Sequence, residues 1–297
     1  MKKNQRYMRY ARMIGAGLLA FALCPASVLA DPGSGHGTRL EAQREASASA
    51  GSVVRHTPET VTIAVPVSTQ DVSETPKSVD AETPVLPNEI RTIVIDPGHG
   101  GTNAGAVGVA NIYEKYLTLQ VALIVADRLR TKMPDVNIVL TRHRDEALSL
   151  TERIQMANRL QADLFVSLHF NSSMNPEAIG YESFWVGDYW IADMEKNGET
   201  IDDEMREART RSAKLGERMA KCFNHAMHRR FDVLDRGVKP GDYTVLTRAE
   251  VPAVVLELAF LSHAAEGLAI VTQSVRSKLA DAVVDGILKY SNTDYLP

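Results

Sequence analysis

The stretch that decides the fold is TIVIDPGHGG, residues 92–101. Its first four residues are β-branched and Asp96-Pro97-Gly98 follows them, a combination typical of a buried strand that ends in a turn. The histidine and glycines beyond that turn stand at the carboxyl end of the strand, where open α/β sheets bind their ligands. This stretch therefore predicts a central strand with a candidate site at its end.

Outward from this strand, apolar runs alternate with helical patterns. We predict further strands at residues 136–140, 164–168, 181–186, 243–246 and 253–256, and helices at residues 116–133, 150–160, 203–230 and 274–290. Strands that alternate with helices predict a single α/β domain with a largely parallel, twisted sheet of about six strands and helices on both faces.

Two helices carry sharper local predictions. Ser149 and Glu152 have the spacing of a capping box, which predicts that the helix at residues 150–160 starts there. The first long helix, residues 116–133, is expected to bury one apolar face. That predicted face consists of Leu119, Leu123, Ala126 and Leu129.

The first ninety residues do not have the composition of a folded domain. Residues 1–30 have a basic start, a short apolar run and small residues before a cleavage site after Ala30, which is typical of a secretory signal peptide. A retained membrane anchor is the alternative. Residues 31–89 are rich in Ser, Thr, Pro and Glu, which predicts a disordered linker. Residues 90–297 are the predicted catalytic domain of an exported protein without a stable membrane span after cleavage, located in the periplasm, the cell wall or outside the cell.

Charge and cysteine content exclude several classes of protein. The formal net charge of −4 becomes about −9 after Ala30, because the segment removed carries five basic residues and no acidic ones. So acidic a chain is a poor candidate for binding nucleic acid or anionic membranes. Cys222 is then the only cysteine, so no internal disulfide is expected. Its helical spacing with Met219, Phe223 and Ala226 predicts packing in the core.

Four polar residues are the candidates for chemistry. His99 and His169 follow predicted strands, Glu257 ends the last one, and Glu114 precedes the first long helix. Two histidines and one carboxylate commonly hold a catalytic zinc ion and leave a position for water, although iron or manganese also fits such ligands. Glu257 is the candidate base that takes a proton from the metal-bound water and passes it to the leaving group.

Each of these residues also has a structural explanation. A histidine after glycines is often a turn residue, and a glutamate before a helix is often favoured there by the helix dipole. The convergence of four such groups on one sheet edge favours a functional site. The other histidines of the predicted domain, which lie in a loop, on one cationic helix end and after the last strand, carry less weight: His143, His225, His228 and His263.

At these motifs the sequence resembles the zinc-dependent N-acetylmuramoyl-L-alanine amidases of the type-3 amidase family, over about residues 91–290. The matching segments, in the family's order and spacing, are IVIDPGHGG (93–101), YEKYLTLQVA (113–122), VLTRHRDEALSLTER (139–153), ADLFVSLHFN (162–171) and PAVVLELAFLSH (252–263). The resemblance implies one zinc ion per chain with ligands His99, Glu114 and His169, and Glu257 as the catalytic glutamate. It also implies a peptidoglycan substrate, cleaved between N-acetylmuramic acid and L-alanine.

The sequence departs from the family pattern at several points. Asn103 stands where the family often has aspartate and Ala259 where it has glycine, and neither is expected to touch a ligand or the base. Residues 188–212 form a long acidic connection, where some relatives carry an inhibitory helix that a protein activator displaces. We therefore hypothesise that this segment restrains activity; a solvated helix start is the simpler alternative.

Two other functions stay open at the level of sequence. One is a zinc peptidase that cuts peptidoglycan cross-links. The other is a catalytically silent wall-binding or regulatory protein on the same fold, which predicts the loss of a ligand or of the base, whereas all four residues are present.

Overall fold

The computed structural model describes residues 90–109 and 111–292. The predictions for residues 1–89 concern residues outside these ranges. The strands are β1 (Thr92–Pro97), β2 (Asn137–Leu140), β3 (Leu164–Asn171), β4 (Tyr181–Trp185), β5 (Asp235–Pro240) and β6 (Ala253–Phe260). The helices are α1 (Glu114–Lys132), α2 (Leu150–Arg159), α3 (Tyr189–Lys196), α4 (Asp203–Arg230), α5 (Thr244–Thr247), α6 (Ala264–Ile270) and α7 (Gln273–Ser291).

The six strands form one sheet in the order β2-β1-β3-β6-β4-β5. Every neighbouring pair is parallel except β4 and β6, which are antiparallel. The predicted α/β fold with a largely parallel sheet is therefore confirmed. The central position of β1, β3 and β6 brings the ends of these three strands to one edge of the sheet.

Both faces of the sheet are covered, as predicted. Along β1, Ile93 packs in one apolar cluster with side chains of α1, α4 and α7, while its neighbour Val94 packs in a second cluster with side chains of α2, α3 and α5. Successive side chains of a strand point to opposite faces, so these clusters lie on opposite sides of the sheet. Cys222 lies in the first cluster and is buried, which confirms its predicted packing.

The face that α1 buries matches the predicted one only in part. Ala126 and Leu129 are fully buried as predicted, but Leu123 is 41% exposed and Leu119 is only partly buried. Leu117, Val121 and Val125, which were not predicted, are fully buried. Because α1 packs against both the sheet and α7, its buried stripe is wide and is rotated away from Leu123. The capping box of α2 is present: the Ser149 hydroxyl accepts from the Glu152 amide, and the Glu152 carboxylate accepts from the Ser149 amide.

At the far side of the sheet one predicted strand is wrong and one strand was missed. Residues 244–247 form the short helix α5 where a strand was predicted at residues 243–246, and the sixth strand is β5, at residues 235–240. β5 lies at an edge and contains Gly237 and Pro240, residues that sheet edges tolerate and that hide a strand from a search for apolar alternation. β4, which was predicted at residues 181–186, shows no alternation of burial, because its first three residues are all buried.

Residues 188–212 form α3 and the start of α4, not an extended connection. Trp190 of α3 is 1% exposed and packs in the second apolar cluster. The Asp202 carboxylate caps α4 by accepting from the Met205 amide at 2.8 Å. This placement favours the simpler explanation, a helix start, and the restraint of activity by this segment stays a hypothesis. Among the described residues, no helix is both long enough and apolar enough to cross a bilayer.

Candidate metal centre

His99, Glu114 and His169 converge at the carboxyl-terminal edge of the sheet. His99 Nε2 lies 3.0 Å from Glu114 Oε2, and His169 Nδ1 lies 3.0 Å from Glu114 Oε1. One ligand atom from each of the three residues lies within 4.8 Å of the other two. Atoms this close can approach one cation together, so the structure assembles a two-histidine, one-carboxylate donor set of the kind that holds zinc.

Three different elements position these side chains. β1 delivers the chain to His99, whose backbone has the left-handed φ of 61°, an unusual value for a residue with a side chain. Glu114 is the first residue of α1, and β3 extends beyond its predicted end so that His169 lies within the strand. The backbone amides of Ala106 and Phe170 donate to the two Glu114 oxygens at 2.8 and 2.9 Å, which fixes the carboxylate between the imidazoles.

The charges at the site favour an ionised Glu114. Burial raises the pKa of Glu114, but the hydrogen bonds to His169 and His99 and their charges outweigh burial, so its pKa is lowered. Burial lowers the pKa of His169, but the hydrogen bond to Glu114 and the charges of Glu257 and Glu114 outweigh that effect and raise it. A carboxylate that stays charged beside two imidazoles is suited to holding a cation.

Glu257 lies beside this donor set. It is the register partner of His169 on β3 and of Glu182 on β4, because β6 lies between those strands. Its Oε2 atom is buried without a hydrogen-bond partner. Burial raises the pKa of Glu257 to about 7; the charge of His169 lowers it, and the charges of Glu114 and Glu182 raise it further. A carboxyl group with a pKa near neutrality is suited to proton transfer.

The raised pKa of Glu257 predicts a pH-dependent stability of the metal-free protein. The folded state binds this proton more tightly than the unfolded state, so the stabilisation is present below pH 4.5 and is lost as pH rises through about 7. We expect the stability of Glu257→Gln, relative to the natural protein, to increase between pH 5 and pH 8.5. Urea unfolding of both proteins in the presence of chelator measures this difference; a difference that does not change with pH would contradict the prediction.

A buried network that sequence reasoning missed holds the loop around His99. Arg153 pairs with buried Asp96 at 2.8 Å and donates to the backbone oxygens of Pro97 and His99. Arg142, which is fully buried, donates to the oxygens of Pro97, Gly98 and Lys115 and so joins this loop to α1. Both arginines occur in VLTRHRDEALSLTER, one of the segments that resemble the family, and this resemblance was a sign that they matter. Nothing in the sequence, however, places them beneath His99.

Asn103 was not expected to touch a ligand, and this expectation is wrong. Its Oδ1 atom lies 2.9 Å from His99 Nδ1 and accepts from the Gly105 amide at 3.1 Å. Because the acceptor fixes Nδ1 as the protonated nitrogen, Nε2 of His99 is left to face Glu114 and a cation. Ala259 is buried in the core, and no hydrogen bond or ion pair found among the described residues joins it to the site.

Gly98 leaves room for the His169 side chain, so a methyl group added at Gly98 is expected to disturb the site. A Cβ atom at Gly98 would lie 2.3 Å from His169 Cε1, so Gly98→Ala should displace the imidazole. We expect metal affinity to fall by roughly tenfold or more, as when a group that orients a metal ligand is lost. Gly108→Ala is the control, since its Cβ would meet Ile112 Cγ2 at 3.5 Å, an ordinary contact. Equal metal affinity of the two variants, measured by competition with a chelating dye, would contradict the prediction.

The other histidines within the described residues lie outside the donor set. His143 is exposed on the loop after β2, and His225 and His228 are exposed on α4. His263 caps α6, where its ring accepts from the Glu266 amide at 3.3 Å. The sequence analysis gave these histidines less weight than His99 and His169, and their positions agree with that choice.

The fold and the donor set define an α/β domain with a candidate metal site of the type found in metal-dependent hydrolases. The sequence profile of the N-acetylmuramoyl-L-alanine amidase family, type 3, matches residues 93–289. The chain belongs to this family.

Individual relatives agree with this assignment. The chain is 32% identical over 201 residues to the N-acetylmuramoyl-L-alanine amidase LytC of Bacillus subtilis, a match that covers 67% of this chain and 35% of LytC. The structure is similar to the catalytic domain of the amidase CwlV from Bacillus (Paenibacillus) polymyxa, with a TM-score of 0.54, 32% identity, and coverage of 68% of this chain and 98% of that domain. An N-acetylmuramoyl-L-alanine amidase of Clostridium difficile 630 gives a TM-score of 0.56 and 29% identity, over 69% of this chain and 99% of the other.

Proposed function

We propose that this protein is a zinc-dependent N-acetylmuramoyl-L-alanine amidase that hydrolyses the amide bond between N-acetylmuramic acid and L-alanine in peptidoglycan. The observation that carries the proposal is that ligand atoms of His99, Glu114 and His169 lie within 4.8 Å of one another, beside Glu257, whose Oε2 atom is buried without a hydrogen-bond partner. Family membership supplies the bond that is cut.

The donor residues fit zinc on chemical grounds. Two imidazole nitrogens and one ionised carboxylate are a donor set that zinc commonly takes, and three protein ligands leave room for water and substrate. When bound there, zinc supplies a water of lowered pKa and polarises the scissile carbonyl group. The hydrogen bonds from Asn103 to His99 and from two backbone amides to Glu114 hold these donors ready for the ion.

The proton transfers are assigned to Glu257. Its carboxylate stands one strand from His169, so it lies within reach of a water positioned by the donor set. In this role Glu257 takes a proton from the attacking water and delivers it to the nitrogen of L-alanine as the amide bond breaks. Its buried, largely apolar strand keeps its proton affinity high enough for both steps.

Digestion of purified peptidoglycan tests the proposal. The purified protein should release intact stem peptides from the glycan, a chelator should stop the release, and added zinc should restore it. Mass analysis separates the alternatives: a zinc peptidase would release peptide fragments and leave L-alanine on the glycan, and a silent wall-binding protein would release nothing. The last result in a zinc-loaded sample would overturn the proposal.

Cellular context forms part of the same proposal. Because the substrate is the cell wall, the protein is proposed to be exported, and the periplasm is the compartment that the sequence favours. A protein activator stays a prediction, tied to the hypothesis on residues 188–212. Deletion of residues 188–212 should raise the rate of the isolated protein if that hypothesis is right; an unchanged or lower rate in a folded variant would count against it.

A further inference from the structure

Two cationic side chains stand on the far side of Glu257 from the metal donors. Lys239 of β5 forms an ion pair with Glu182 of β4, and Arg236 of β5 contacts the same carboxylate at 3.4 Å. Glu182 is in turn the register partner of Glu257. Across the sheet, the order is therefore His169 on β3, Glu257 on β6, Glu182 on β4 and the two cations on β5.

This pair carries more positive charge than Glu182 neutralises. One carboxylate, with a side chain 6% exposed, faces two cations whose side chains are 31% and 41% exposed. Lysine has three donors and arginine five, so a single carboxylate does not use them all. A local excess of positive charge is notable in a chain whose formal net charge is negative.

Aromatic rings hold the two cations beside the cleft. The Arg236 guanidinium lies 4.9 Å from the centre of the Phe260 ring, and the Lys239 ammonium lies 5.9 Å from that of Phe184. Phe260 ends the strand that carries Glu257. β5 lies two strands from β6, and both cations contact Glu182, which stands one strand spacing, roughly 5 Å, from Glu257. The charged ends of the cations therefore lie between one and two strand spacings, about 5 to 10 Å, beyond Glu257.

The direction of the reaction decides what reaches this position. Glu257 protonates the leaving nitrogen, so the stem peptide extends from Glu257 away from the metal donors. The second stem residue is a glutamate joined through its γ-carboxyl group, and its α-carboxyl group is either free or amidated. That group lies roughly two residue lengths or less from the leaving nitrogen, at most about 7 Å, a distance that falls within the range at which the cations lie beyond Glu257.

We propose that Arg236 and Lys239 form a subsite that binds the free α-carboxylate of the second stem residue and favours it over the amidated form. The subsite rests on the proposed amidase function, because that function sets the direction of the peptide. Glu182 holds the cations in place and competes with the substrate carboxylate for them. The subsite supplies specificity on the leaving-group side, where the metal donors make no contact.

Binding of two matched peptides to the zinc-loaded full-length protein tests the subsite. Both are L-Ala-γ-D-Glu-L-Ala with an amidated C-terminus, and they differ only in a free or amidated α-carboxyl group at the second residue. Titration calorimetry should show about fivefold tighter binding of the free acid at low salt, the effect of a partly exposed ion pair. High salt should reduce this preference.

Four variants distinguish carboxylate binding from a structural role. The double variant R236Q/K239Q should lose the preference, K239R should keep it, and E182Q should increase it because the competing carboxylate is gone. The control K221Q removes an exposed lysine on α4 and should change nothing. Thermal unfolding shows whether each variant is folded.

Failure of the subsite is distinguishable from failure of the proposed function. If the natural protein releases intact stem peptides but binds both probes equally, or binds neither at millimolar concentration, the subsite alone is overturned. Equal weakening of both probes in R236Q/K239Q also overturns it, since the pair would then only support the fold. Failure to release stem peptides from the wall overturns the function, while the two probes still report directly on the cations.

Discussion

Replacement of Glu257 by glutamine is expected to reduce the rate of stem-peptide release by about a thousandfold while the metal content stays unchanged. The substitution preserves size but removes the group that accepts a proton, and general acid–base catalysis typically contributes factors of 10²–10⁴. Because Glu257 is not one of the three residues whose ligand atoms converge, its loss removes none of these donors. The rate on purified peptidoglycan and the zinc content per chain are the two measurements.

A matched carboxylate provides the control. Glu250 is exposed and precedes β6, at the end of that strand away from the donor set, so Glu250→Gln should leave both rate and metal content unchanged. If Glu257→Gln retained a rate within tenfold of the natural protein, Glu257 would not be the base. If the variant also lost its metal, Glu257 would belong to the metal site rather than beside it.

Replacement of His169 by alanine is expected to abolish both metal binding and activity. The substitution removes one of three donors and leaves the buried Glu114 with a single imidazole partner. Loss of a group that merely orients a ligand costs about 10–100-fold in metal affinity, so loss of a ligand itself should cost more. Metal analysis after dialysis against buffer, together with the rate on peptidoglycan, measures the effect.

The matched control is another histidine of the same domain. His143 is exposed on the loop after β2, and His143→Ala should retain metal and activity. Near-ultraviolet circular dichroism establishes that His169→Ala keeps its fold. Full metal content in a folded His169→Ala variant would place the metal elsewhere. Together the Glu257 and His169 variants separate proton transfer from metal binding, since only the second is expected to lose the ion.

The sequence by itself determined the fold class and the neighbourhood of the site. Alternating apolar and helical patterns imply parallel strands, and the carboxyl ends of parallel strands meet at one edge of a sheet. Residues that follow β1 and lie near the ends of β3 and β6 therefore have to converge there, which is why His99, His169 and Glu257 could be grouped without coordinates. The start of α2 was equally predictable, because a capping box is a local interaction.

Only the tertiary structure decided the features that depend on contacts between distant segments. The buried face of α1 follows from packing against the sheet and α7, so spacing within the helix could not locate it. The edge position of β5 concealed that strand, because an edge does not need apolar alternation.

The supporting groups of the site were also decided by tertiary structure. The contact of Asn103 with His99, the ties of Arg153 to the loop below it, and the register that sets Glu182 opposite Glu257 all join residues through the folded chain. Sequence patterns report the chemistry of each residue and its local conformation. The direction in which a side chain points across a sheet, and the charge that it meets there, exist only once the chain has folded.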